Sequence, residues 1–175
     1  VDGAVTAYEE YLSVANDVGD RRRIGRGHNH LLRHALRNRD IPGARVHLEA
    51  ALSAVRETND AELRVTTELH RARILLAEDD LSAAQETLQL ALTLAEQAGN
   101  PKRVADASVR LARTELRQND PQGALVWLRK TEAALNGVAY AERTAEMAHL
   151  QARAHSELGF PALSFTRYCF AMLAY

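Results

Sequence analysis

Between Ala72 and Ala95 the chain reads ARILLAEDDLSAAQETLQLALTLA. Two apolar stretches meet there at Glu78-Asp79-Asp80, and both run at helical period. Ala84, Leu88, Ala91 and Ala95 are spaced four, three and four apart, which puts them on one face of a helix. Ala72 and Leu76 share a face of the helix before it. Asp80 stands where a carboxylate caps the N-terminus of the following helix. A helix, a tight turn and a second helix is the unit of this sequence.

The unit recurs every 40 residues, in register, along the whole chain. The small column is Ala4, Ala44, Ala84, Ala124 and Ser164. It is followed by Tyr8, Leu48, Leu88, Leu128 and Tyr168, then by Tyr11, Ala51, Ala91, Thr131 and Ala171, then by Ala15, Val55, Ala95, Leu135 and Tyr175. On the other helix, Leu32, Ala72, Ala112 and Ala152 precede Leu36, Leu76 and Leu116, with Ser156 breaking the last column. Turns fall at Arg39-Asp40, Asp79-Asp80, Asn119-Asp120 and Gly159, and Pro42, Pro121 and Pro161 sit in first helical turns, where a missing N–H costs nothing. Gly19-Asp20, Asn59-Asp60, Gly99-Asn100-Pro101 and Gly137 mark the junctions between units. The pattern predicts nine helices, over 2–18, 21–38, 41–58, 61–78, 81–98, 101–118, 121–136, 139–157 and 161–175. That is a half unit over 1–18 and full units over 21–58, 61–98, 101–136 and 139–175, forming one all-α array.

Composition agrees. Hydrophobic residues are 46% and charged ones 26%, which excludes wholesale disorder, and the apolar fraction is largely Ala and Leu. A net charge of −1 gives the molecule no overall field to draw it onto nucleic acid. Cys169 is the single cysteine, so no internal disulfide forms and a reducing, cytoplasmic setting is expected. No apolar stretch approaches the roughly 20 residues that span a bilayer. The chain does not begin with Met, and we expect it to be a segment of a longer protein.

In its small–large columns and its turn, the unit resembles tetratricopeptide repeats. Ala72, Leu75 and Asp79 followed by Leu81, Ala84, Leu88 and Ala91 stand at that family's offsets, as do Ala152, His155, Gly159, Ser164, Tyr168 and Ala171. The resemblance covers the whole chain. It departs in length, with 40 residues instead of the usual 34, and in the missing early Trp and first-helix Tyr, replaced by Leu75, Glu115 and His155. Long units of this kind are familiar in kinesin light chains and bacterial regulators. The resemblance implies a right-handed superhelical solenoid whose first helices line a concave surface that holds a protein or peptide.

On those first helices a second stripe flanks the packing columns. It contains Arg26, Asn29, His30, Arg33 and Arg37; then Thr66, Leu69, His70, Arg73 and Ala77; then Asp106, Val109, Arg110, Arg113 and Arg117; then Glu146, His149, Leu150, Arg153 and Glu157. One column is arginine throughout: Arg33, Arg73, Arg113 and Arg153. A guanidinium is a planar fork of donors suited to carboxylate, so we expect this ladder to hold an acidic or carboxylate-bearing peptide. The first helices carry fifteen of the twenty arginines and eight of the twenty-three acids. A plainer reading stands beside it: arginines copied by repeat duplication and paired with acids, such as Arg153 with Glu157.

Sharper chemistry finds little support. His28, His30 and His34 cluster, and His30 and His34 have a chelating i, i+4 spacing with His70 one unit on, yet no Cys or carboxylate completes a set, so no metal is expected. Gly25 and Gly27 flank Arg26 within a helix, not after a strand, and are no dinucleotide fingerprint. Arg21-Arg22-Arg23 reads as a solvated helix start, Trp127 as packing, and Cys169 as a small core residue. No nucleophile or cofactor motif is present. The expectation is a non-catalytic binding domain, a sensor or docking module of a larger regulator. The rivals are an oligomerisation scaffold using the apolar end (Tyr168, Phe170, Met172, Leu173, Tyr175) and, less favoured, a nucleic-acid or nucleotide binder using the arginines.

Overall fold

A computed structural model describes residues 2–160 and shows an all-helical protein with no strand among those residues. The helices are α1 (Asp2–Asp17), α2 (Arg21–Arg37), α3 (Ile41–Arg56), α4 (Ala61–Ala77), α5 (Leu81–Gln97), α6 (Pro101–Arg117), α7 (Pro121–Leu135) and α8 (Ala141–Glu157). Each lies within about two residues of the segment predicted for it. The ninth predicted helix, with Tyr168, Phe170, Met172, Leu173 and Tyr175, falls outside the described residues.

At Asp20, Asp40, Asp80, Asn100 and Asp120 one residue both ends a helix and starts the next. The carboxylates of Asp20, Asp40, Asp60, Asp80 and Asp120, and the amide oxygen of Asn100, accept from the backbone N–H three residues on, at 2.9–3.2 Å. The backbone N–H groups of Asp40, Asp80 and Asp120 meanwhile donate back to Ala35, Leu75 and Glu115 at 2.9, 3.0 and 2.9 Å. Between the two bonds sits a left-handed residue: Gly19, Arg39, Asp79, Gly99 or Asn119. This is a Schellman closure fused to an N-cap, and each cap contributes about 1 kcal/mol.

The chain divides into two compact units, residues up to 87 and residues from 88 on, the division falling inside α5. In the first unit α2 packs on α1 and α3, and α4 packs on α3 and α2. Its core holds Leu32, Ala35, Ala44, Leu48 and Ile74, with a second cluster of Leu12, Ala15, Ile24 and Leu31 against α1. In the second unit α6, α7 and α8 enclose Val109, Ala112, Leu116, Ala124, Leu128, Met147, Leu150 and Ala154. The small columns do what their size requires. Ala44, Ala84 and Ala124 are fully buried, as are Ala51, Ala91 and Thr131. On α1 Ala15 is buried as its column predicts, but Leu12 takes the buried place expected of Tyr11, which is 37% exposed.

The two glycines of α2 serve helix packing. A Cβ on Gly25 would meet Leu63 Cδ2 at 2.7 Å and Ala54 Cβ at 3.0 Å; one on Gly27 would meet Leu12 Cδ2 at 2.6 Å and Cγ at 2.8 Å. Polar pairs pin the interior as well. Asn29 Nδ2 donates to Thr67 Oγ1 at 2.9 Å in the first unit, and Ser108 shares a hydrogen with Thr131 at 2.8 Å in the second.

In the second unit Tyr140 caps α8 without a side-chain bond. Its hydroxyl donates instead to buried Asp106 (3.0 Å), which also receives Arg103 (3.1 Å) and Arg143 (2.5 Å). Arg143 reaches Glu146 at 2.6 Å too. Burial works against the Arg143 charge, but the hydrogen bond and charge of Asp106, with Glu146, outweigh it and hold its pKa above the usual value. Asp106 therefore anchors α8 to α6 and is not part of an open stripe, because its carboxylate is consumed by this network.

Gly27→Ala gains about 1 kcal/mol of helix propensity but overfills a packed contact, at a cost of about 1–3 kcal/mol. We expect a net loss, read as a lower urea midpoint for the first unit. Gly3→Ala, where nothing lies within 4 Å, should show no loss.

Candidate binding surface

In the first unit the arginine column leans on histidines. Arg33 Nη2 donates to His30 Nδ1 and Arg73 Nη1 to His70 Nδ1, both at 3.4 Å. A guanidinium has no acceptor, so each Nδ1 must offer its lone pair. His30 also stacks on Tyr8, ring centroids 4.6 Å apart and nearly parallel. Burial first, then the Arg33 charge, lowers its pKa. Arg37 is exposed at the end of α2. Arg26 is exposed too and shares the buried Asp60 carboxylate with Arg22, at 3.4 and 2.7 Å. Asn29, expected on the same surface, is buried against Thr67 and is removed from it. Leu69 is likewise core. The Arg21-Arg22-Arg23 run is paired residue by residue, with Glu57, Asp60 and Asp20.

In the second unit the same column meets acids. Arg113 pairs with Glu146 across α6 and α8. Arg153 Nε donates to Glu157 Oε1 at 2.7 Å, and its Nη2 donates to the Leu116 carbonyl at 3.3 Å. Arg110 is half-buried and Arg117 exposed on α6, and His149 is exposed on α8. Val109 and Leu150 belong to the core. Trp127, half-buried against that core, donates its indole N–H to Glu115 at 3.1 Å.

Within the first unit a cleft of about 320 Å³ opens between the α2–α3 turn and the end of α4, lined by Leu36, Arg39, Ile41, Arg73 and Ala77. Three of its lining residues are aliphatic and two are arginines. Eighty residues on, two periods along in the same register, the second unit has Leu116, Asn119, Pro121, Arg153 and Glu157. There the arginine holds its own carboxylate. Here that carboxylate is replaced by the Ala77 methyl, and Asn119 by Arg39.

Arg39 lies outside the helical ladder, yet the sequence carries a signal for it. Its column is otherwise Asp79, Asn119 and Gly159, the residue types that tolerate a left-handed backbone. Arg39 takes φ +59° all the same. A local rule is broken at the mouth of the cleft, where an added positive charge has a chemical use.

The histidines also rearrange. His30 and His34, expected to share a chelating face, go separate ways, His30 to Tyr8 and His34 to Asn38 Nδ2 at 3.2 Å. The histidines that meet are His28 on α2 and His47 on α3, Nδ1 to Nδ1 at 3.2 Å. Burial lowers the pKa of both, and for His28 the neighbouring His47 adds to it. No helix among the described residues is long and apolar enough to cross a membrane.

No family model matches the chain, and none of the curated proteins does. Among solved structures it is similar to BtubC (BKLC) from P. vanneervenii, with a TM-score of 0.65, 12% identity, and coverage of 99% of this chain and 90% of that one. At that identity the likeness is one of fold.

His28, His30 and His47 set a pH dependence. Their folded pKa values lie below the unfolded value of 6.5, so falling pH protonates the unfolded chain first. The stability they contribute is complete above about pH 6.5 and lost progressively below it. Melting temperature should therefore fall between pH 7.5 and 5.5, a window above most carboxylate titration. The triple variant His28→Gln/His30→Gln/His47→Gln should flatten that slope, and a wild-type melting temperature constant or rising across the window would contradict the assignment.

Proposed function

We propose that this chain is a tetratricopeptide-type repeat domain, a cytoplasmic docking module that binds a peptide or protein partner without catalysing a reaction, and that its first unit takes a carboxylate of that partner. The observation that supports this most is the substitution of Ala77 for the acid that Glu157 supplies in the second unit. Arg73 and Arg153 stand at the same register position. One has a carboxylate built in four residues on; the other faces a cleft with Arg39 on its far side. A guanidinium has five donors and serves several acceptors, so contacts already made by Arg73 are compatible with a ligand. The aliphatic lining of Leu36, Ile41 and Ala77 favours a carboxylate with an apolar side chain beside it, as at the C-terminus of a peptide ending in Leu.

The second unit is the poorer host, since Glu146 and Glu157 occupy Arg113 and Arg153. The ladder anticipated across four arginines thus contracts, in this reading, to the first unit.

The test is fluorescence anisotropy with a labelled short peptide ending in Leu, carrying either a free carboxylate or a C-terminal amide. Charge-assisted hydrogen bonds contribute about 1.5–3 kcal/mol, so the amide should bind at least about tenfold more weakly. Ala77→Glu installs the second unit's carboxylate and should abolish binding with the fold intact. Arg39→Gly should weaken binding while raising stability by about 1 kcal/mol, because it relieves a left-handed backbone. Equal binding of acid and amide, unchanged by Ala77→Glu, would remove the cleft from the account.

A further inference from the structure

We infer that His28 and His47 together form a binding site for one divalent transition-metal cation of the Zn²⁺ class, bridging α2 and α3 within the first unit. The two Nδ1 atoms lie 3.2 Å apart, with ring centroids 5.5 Å apart and planes inclined by 33°. Two imidazole nitrogens bound to one tetrahedral Zn²⁺, each about 2.0–2.1 Å from the metal, stand about 3.4 Å from each other. The rings therefore already hold their donors at chelating separation, from two helices joined by a turn that is capped at both ends. Chelation needs only a modest tilt of each ring, with the hydrogen now shared between the nitrogens carried on the outer Nε2. That is a change of tautomer, and no proton is released.

Charge favours a cation here more than at the other histidines of the unit. His30 and His70 each rest against an arginine, Arg33 and Arg73. His47 is instead acted on by the carboxylates of Asp40, at the α2–α3 junction, and Glu9, on α1. Both rings are half-buried. Burial keeps them neutral near pH 7, so a metal meets little competition from protons. No group of three or more His, Cys, Asp or Glu converges on a metal position among the described residues. The site is accordingly a two-imidazole one, with water or a partner's donor completing the coordination.

The experiment is calorimetric titration of the full chain, free of any polyhistidine tag, with ZnCl₂ at pH 7.5. We expect one saturable site, at least tenfold weakened by His28→Gln or by His47→Gln and unchanged by His34→Gln or His70→Gln; loss of a direct ligand should cost no less than the 10–100-fold seen for outer partners. Histidine ring ¹H–¹⁵N spectra of the wild type give a reading that does not depend on how a variant folds. Zn²⁺ should move the ring nitrogens of His28 and His47 and leave those of His34 and His149 in place. Absence of saturable binding would overturn the inference. So would binding that survives both substitutions, or ring shifts at other histidines alone.

Discussion

At Asp40 the backbone N–H closes the last turn of α2 on the Ala35 carbonyl, while the carboxylate opens α3 on the Gly43 N–H. Asp80 and Asp120 do the same with Leu75 and Ala83, and with Glu115 and Gly123. Reversing the chain within three residues leaves no room for separate stop and start signals, so one side chain and one backbone amide serve both. The cap every twenty residues fixes helix length, and helix length fixes which residues face one another from hairpin to hairpin. The alanine columns of α3, α5 and α7 bury to the backbone because that register holds there. Where the carboxylate is missing, at Tyr140, the second unit spends a buried Asp106–Arg143–Tyr140 network to hold α8 in place. Such networks are costly to desolvate and depend on every partner being present.

With the frame constant, the charges carried on it can diverge. The arginine column illustrates this. Arg113 and Arg153 are matched to Glu146 and Glu157, whereas Arg33 and Arg73 lie against histidine nitrogens. Ion pairs at such half-exposed positions are worth little to stability, so the fold tolerates either state. Arg39 fits the same logic. It accepts a strained backbone in a turn whose other members are Asp, Asn and Gly, and it lines the cleft.

Much of the fold was legible in the chain because each column is written several times over. A helix face that would be ambiguous once becomes plain when Leu48, Leu88 and Leu128 recur at one spacing. Legibility ended where a side chain finds its partner far along the chain. Asn29 and Asp106 read as surface stripe because nothing local distinguishes them from Arg33 or Arg113. Their partners, Thr67 and Tyr140, lie 38 and 34 residues away. His47 is inconspicuous in the sequence for the same reason, since it meets His28 from the opposite helix of the hairpin. On α1 the column shifted by one residue, from Tyr11 to Leu12, because Gly27 of α2 admits the leucine. Arg39 was open to recognition as the one basic residue in a turn column; that cue lay in backbone preference, apart from the helical stripe that drew attention.

Amide and arginine side-chain resonances of the isotopically labelled chain, followed during titration with a free-acid peptide ending in Leu, test the proposal that the first unit and not the second takes an external carboxylate. Shifts should be confined to residues 36–41 and 73–77, including the Nε–H of Arg39 and Arg73, with Arg113 and Arg153 unmoved. Shifts centred on Arg113 and Arg153, or on the outer faces of α1 and α3, would contradict it.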